Sequence, residues 1–229
     1  MNKKKKLLII AIMTIIILAS VIVGFLITFF SSEKEHYISE ANITIPIFLY
    51  HEIVIEKTAE DFMHTTDTVF KEQITGLQNL GYKFIGYDDL IAYHKGEKKL
   101  GNKVIILTFD DGMVSNYDTL FPIIKEFNIP ITINLIDDQV GTPEHLNWDH
   151  IKEMYQSGLV SFYSHGKSHI DATTIDTTLY KDEVLVAHKN IEDQLEKSMT
   201  KVYTYPLGLY DDEKISALER RRLCPKLNR

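Results

Sequence analysis

Residues 107–112 read L-T-F-D-D-G and follow the apolar run K-V-I-I, so a stretch with the composition of a buried strand ends in two adjacent carboxylates, Asp110 and Asp111. Two like charges side by side repel, and beside a low-dielectric core at least one of them needs a cation or a raised pKa. His165 and His169 bracket G-K-S, a spacing that lets two imidazoles reach one ion from a helical turn or a tight loop. A carboxylate from another strand end completes a two-histidine, one-carboxylate site with positions left for water or substrate. One aspartate then binds the ion while the other acts as a base toward that water.

Each piece alone has a bland reading. A histidine pair four apart is commonly surface decoration, and D-D-G is a common turn or helix N-cap sequence. His51, after I-P-I-F-L-Y, could be bonded to backbone at a strand end, and Tyr205-Pro206 could simply stop a strand, since proline cannot continue a ladder. Their joint placement weighs against those readings, and that placement follows from the elements.

Apolar runs predict strands over residues 45–50, 83–86, 103–109, 130–135, 159–163 and 201–205. Helical periodicity predicts helices over 68–80, with Phe70, Ile74, Leu77 and Leu80 on one face and Gly81 as the stop, and over 88–94, 117–127, 149–156 and 179–198. Strands separated by helices mean βαβ units and a parallel sheet. Whether such a sheet is open or closed into a barrel, ligands bind at the carboxyl ends of its strands. His51, Asp110 with Asp111, His165, and Pro206 with Gly208 each follow an apolar run directly, so the groups with chemistry fall on one rim.

The amino terminus is a separate matter. Four lysines, Lys3 to Lys6, precede residues 7–30, which hold no charge. As a helix that run is about 36 Å long, enough to cross a hydrocarbon core of about 30 Å with some tilt. It reads as a membrane anchor with residues 1–6 as a cytoplasmic basic stub, residues 31–44 as a polar tether and the rest outside the cell. A cleaved signal peptide is the rival reading; it has a shorter apolar core and an A-x-A-like site, and it leaves the compartment the same.

Setting aside the four lysines takes the net charge from −7 to −11 for residues 32–229. An acidic outer domain excludes a general nucleic-acid binder, which needs a basic surface. The single cysteine, Cys224, cannot form an internal disulfide.

T-F-D-D-G (108–112), S-H-G-K-S-H (164–169) and T-Y-P-L-G (204–208), in this order, resemble the three motifs of the polysaccharide deacetylases of carbohydrate esterase family 4, the NodB homology domain. The resemblance covers about residues 45–215. The stretch I-P-I-F-L-Y-H resembles the subgroup of the poly-N-acetylglucosamine (intercellular adhesin) deacetylases, in which the catalytic histidine sits in this first strand. It implies an α/β fold, a distorted (β/α) barrel of parallel strands over residues 45–218.

By that resemblance Asp110 is the general base and His51 the general acid. Asp111, His165 and His169 hold a divalent metal, zinc first, with nickel, cobalt or iron as alternatives. The backbone N–H of Tyr205, with the metal, stabilises the oxyanion. The implied substrate is an N-acetylated glycan polymer. Thr204 stands where many relatives have an arginine paired with the base. Trp148 matches no motif and reads as packing. Residues 219–229, with three consecutive arginines and Cys224, depart from the rest of the chain and suggest a shifted reading frame or a truncated product, which would leave the barrel incomplete and a strand edge unpaired. The competing expectations are an O-acetyl esterase on a carbohydrate and an inactive carbohydrate-binding remnant.

Overall fold

The computed structural model describes residues 43–56, 63–198 and 200–220. The chain divides into two units, one of residues 43–99 with 103–229 and the other of residues 1–42 with Leu100–Asn102. The first holds the fold described below. The expected anchor, residues 7–30, lies outside the described residues, and so does most of the atypical tail; no described helix is long and apolar enough to cross a membrane.

Among the described residues, seven strands and six α-helices follow in order: β1 (Ile47–Tyr50), β2 (Glu52–Val54), β3 (His64–Thr66), α1 (Asp67–Asn79), β4 (Lys83–Phe84), α2 (Tyr87–His94), β5 (Val104–Phe109), α3 (Phe121–Phe127), β6 (Ile131–Leu135), α4 (Trp148–Gln156), β7 (Val160–Ser164), α5 (Thr177–Leu195) and α6 (Asp212–Arg220). The main sheet runs β1-β5-β6-β7, and β4 pairs with the start of β5. All its pairings are parallel, as alternating strands and helices require.

Register sets the two faces. Ile105, Leu107 and Phe109 of β5, Ile131, Ile133 and Leu135 of β6, and Val160 and Phe162 of β7 share one face and pack with Phe70 and Ile74 of α1, Ile123 and Ile124 of α3, Ile151 and Met154 of α4, and Ile191 of α5. Each such side chain contributes about 1.5–3 kcal/mol on burial, so the helix-covered face anchors the strands. The alternate residues Thr108, Thr132 and Asn134 point the other way and are buried and polar. That contrast puts polar groups on the face where the carboxylate of Asp110 also emerges.

Local signals explain the boundaries. Thr66 caps α1 by accepting a bond from the Val69 N–H, and Gly81 (φ 80°) turns the chain away after it. Leu80, expected on the buried face, is the C-cap residue and is 62% exposed, because the helix stops one residue earlier and its direction is lost. The expected helix over 117–127 begins instead as a π-turn, Asn116–Leu120, leading into α3. Residues 201–205 make a single parallel bridge, Tyr203 to Ser164, rather than a strand. The parallel β2–β3 pair and α6 went unread in the sequence, the first because three-residue strands carry too little periodicity. Trp148 packs partly buried against the core at the start of α4, as expected.

Among the described residues β1 pairs with β5 alone, and Ile47, Phe48 and Leu49 are all exposed. Tyr50, at its end, is held by stacking on Phe109 and by an edge contact with Phe70. This fixes the point at which His51 leaves the sheet.

Candidate active site

Asp110 is still part of the ladder: its N–H donates to the Tyr50 carbonyl at 2.9 Å. Its carboxylate is 4% exposed. Oδ1 accepts a 2.7 Å bond from Nδ2 of Asn134, and Oδ2 lies 3.9 Å from Nε2 of His165. Burial pushes its pKa up; the charges of His165 and His51 and the Asn134 bond pull against that, while Asp111 adds to the rise.

The next residue leaves the strand. Asp111 and Gly112 both take positive φ, 72° and 76°, which swings the second carboxylate away from the first. Gly112 is required here, because a Cβ would sit 2.7 Å from Cδ2 of Leu135 in a backbone conformation that already disfavours side chains. Strain of this kind in a non-glycine residue such as Asp111 persists only where the surroundings over-determine it.

His165 follows β7, and its N–H extends the ladder to the Leu135 carbonyl at 2.8 Å. Ring atom Nδ1 is 2.9 Å from the Thr204 carbonyl oxygen. A carbonyl only accepts, so Nδ1 carries the proton and Nε2 offers a lone pair, an orientation typical of a ligating histidine. His169 (φ 58°) closes a loop held by Glu183 of α5, whose carboxylate accepts from the N–H of Ser168 at 2.9 Å and from its hydroxyl at 3.0 Å. Burial, and then the charge of His165, lowers the pKa of His169 and favours its neutral, ligand-ready form.

Oδ1 of Asp111 lies 3.6 Å from Nε2 of His165 and 3.5 Å from Nε2 of His169, and the three ligand atoms all fall within 4.8 Å of one another. Two ligands at about 2.1 Å from one tetrahedral ion stand about 3.4 Å apart, so the spacing suits a divalent metal. Oδ1 of Asp111 is buried and, among the described residues, accepts no hydrogen bond. An orphaned carboxylate oxygen facing two imidazole nitrogens is a deficit of positive charge that such an ion would meet.

The remaining expected residues lie around this cluster. His51 is half-buried, and its charge acts on both Asp110 and His169. The Thr204 N–H donates to the Ser164 carbonyl at 3.2 Å, which lays residues 203–206 along the His165 loop, with Pro206 buried beside Gly166. Tyr205 stacks on Tyr180 and meets Tyr203 and Tyr210. Gly208 (φ 67°), itself exposed, ends the Pro206–Gly208 turn.

The sequence pattern of the polysaccharide deacetylase family matches residues 97–223. The chain belongs to this family. A Bacillus subtilis protein named for polysaccharide deacetylation is 26% identical over 80% of the chain and 63% of its own length. The poly-beta-1,6-N-acetyl-D-glucosamine N-deacetylase of Staphylococcus epidermidis is 32% identical over 68% of the chain and 57% of its own length. The chain thus spans about three fifths of these curated relatives. Among solved structures, a Streptococcus pyogenes deacetylase in complex with acetate superposes with a TM-score of 0.74 at 26% identity, covering 80% of this chain and 82% of that one. Family membership agrees with the α/β fold and with the cluster of Asp111, His165 and His169.

Sequence reasoning missed Asn134, Glu183 and the Thr204 carbonyl. Asn134 carried a faint signal, a lone amide in the apolar run I-T-I-N-L-I; the carbonyl carried none, since any residue has one.

Proposed function

We propose that the protein is a metal-dependent hydrolase that removes N-acetyl groups from an N-acetylglucosamine-containing cell-surface polysaccharide. The observation that carries this reading is the convergence of Asp111, His165 and His169 beside the buried carboxylate of Asp110. The curated relative from Staphylococcus epidermidis, named for that reaction, supports the substrate class.

Asp111, His165 and His169 would hold the divalent metal, and two imidazoles with one carboxylate suit zinc, with nickel, cobalt or iron as alternatives. When bound, the ion polarises the acetyl carbonyl and makes water more acidic. Asp110 takes the proton of the attacking water on Oδ2, the oxygen that Asn134 does not occupy. The backbone N–H of Tyr205 donates to the oxygen that gains charge as the carbonyl carbon becomes tetrahedral. His51 gives a proton to the nitrogen as the C–N bond breaks, so acetate and a free amine leave. In this reading residues 7–30 anchor the enzyme in the cell membrane, with the catalytic domain outside where the polymer is.

The test is acetate release from poly-β-1,6-N-acetylglucosamine fragments, with and without a chelator, and with Asp110→Asn and His51→Ala as controls. Metal-dependent release that both variants lose is expected. Release from O-acetyl esters alone would replace this reading with an esterase, and glycan binding without turnover would replace it with a carbohydrate-binding remnant.

A further inference from the structure

The carboxylate of Asp110 has two chemically equivalent oxygens, and a base is efficient only if one is kept aimed at the proton it takes. Rotation about the last side-chain bond would exchange them. Oδ1 is held by Nδ2 of Asn134 at 2.7 Å, which leaves Oδ2 toward His165.

Asn134 is well placed to hold it. It lies in β6, which is paired on both sides, with Phe109 opposite Ile133 on one flank and Tyr163 opposite Asn134 on the other. Its side chain is fully buried, and among the described residues its Oδ1 has no hydrogen-bond partner. Among the described residues Asp110 is the polar partner of this amide, and an ionised carboxylate only accepts, so the NH2 end must face it.

We propose that Asn134 is the positioning residue for Asp110, a neutral donor that pins Oδ1 and keeps Oδ2 directed at the attacking water. This rests on the reading of Asp110 as the base.

Asn134→Leu keeps the volume and removes the donor; Asn134→Ser restores a shorter donor; Thr132→Val alters the neighbouring buried polar residue on the same face and serves as the control. With zinc-loaded protein and poly-β-1,6-N-acetylglucosamine fragments, Asn134→Leu is expected to lower kcat about 10–100-fold, with KM and zinc content unchanged. Asn134→Ser recovers part of kcat, and Thr132→Val keeps all of it. A readout independent of turnover is the side-chain amide proton resonance of Asn134, identified by its disappearance in Asn134→Leu, which shifts in Asp110→Ala. Unchanged kcat in Asn134→Leu, an equal loss in Thr132→Val, or an amide resonance indifferent to Asp110→Ala would overturn the assignment. A wild-type protein that releases no acetate would overturn the parent reading and this one with it, whereas an active wild type with an equally active Asn134→Leu overturns this one alone.

Discussion

The carbonyl oxygen of Thr204 lies 2.9 Å from Nδ1 of His165, and the same residue's N–H reaches the Ser164 carbonyl at 3.2 Å. A backbone group, not a side chain, thus sets the proton on the imidazole, and it is aimed by a ladder bond one residue before the histidine. Thr204→Ala should leave zinc affinity unchanged, because neither contact uses the side chain. Thr204→Pro removes the N–H and should weaken zinc binding about 10–100-fold. Calorimetric titration of both variants distinguishes them, and equal behaviour would refute the arrangement.

The loop between the two histidines has its own brace. Glu183 accepts both the N–H and the hydroxyl of Ser168, next to His169 in its positive-φ conformation. Glu183→Ala should cost about 10–100-fold in zinc affinity, measured by competition with a chromogenic chelator, with Asp110 and His165 undisturbed.

A ligand that binds only the folded chain stabilises it by mass action, about 2.7 kcal/mol at a hundred times its Kd. Zinc added to metal-free protein should therefore raise Tm, and Asp111→Asn should abolish the rise by removing the negative charge from the carboxylate that faces both imidazoles. Thermal unfolding with zinc and with chelator decides it.

Gly112→Ala should destabilise the fold by about 1–3 kcal/mol, since the new methyl would press on Leu135 and the backbone has φ 76°. Urea denaturation gives the size. Zinc affinity should fall with it, because Asp111 turns on the same hinge.

His188 supplies a pH dependence away from the metal site. Burial first, and Lys201 after it, lower its pKa below the ordinary 6.5, while Glu192, 3.5 Å from Nε2, opposes the shift. The unfolded chain then takes up the proton before the folded one does, so the stabilising contribution is complete above 6.5 and is lost as pH falls below it. Unfolding of metal-free protein from pH ~8 to ~5 should show this decline, and His188→Gln should flatten it.

The order of the main-sheet strands β1, β4, β5, β6 and β7 with the helices between them, and the rim on which His51, Asp110, Asp111, His165 and His169 gather, were legible because apolar periodicity is local and polar residues that follow a buried run must emerge at its end. The residue pattern alone left the division between the two aspartates open and the family resemblance assigned it; how the backbone separates them was not legible, since it depends on Asp111 and Gly112 both entering the left-handed region. Nor was the partner of Asp110, because sheet register, which joins residues twenty-four apart, decides that Asn134 lies beside it. Sequence alone determined which groups are available for chemistry at the strand ends. Only the tertiary structure decided which oxygen faces the imidazoles, which is held by an amide and which carbonyl orients His165, because those choices are made by contacts between segments that no local pattern connects.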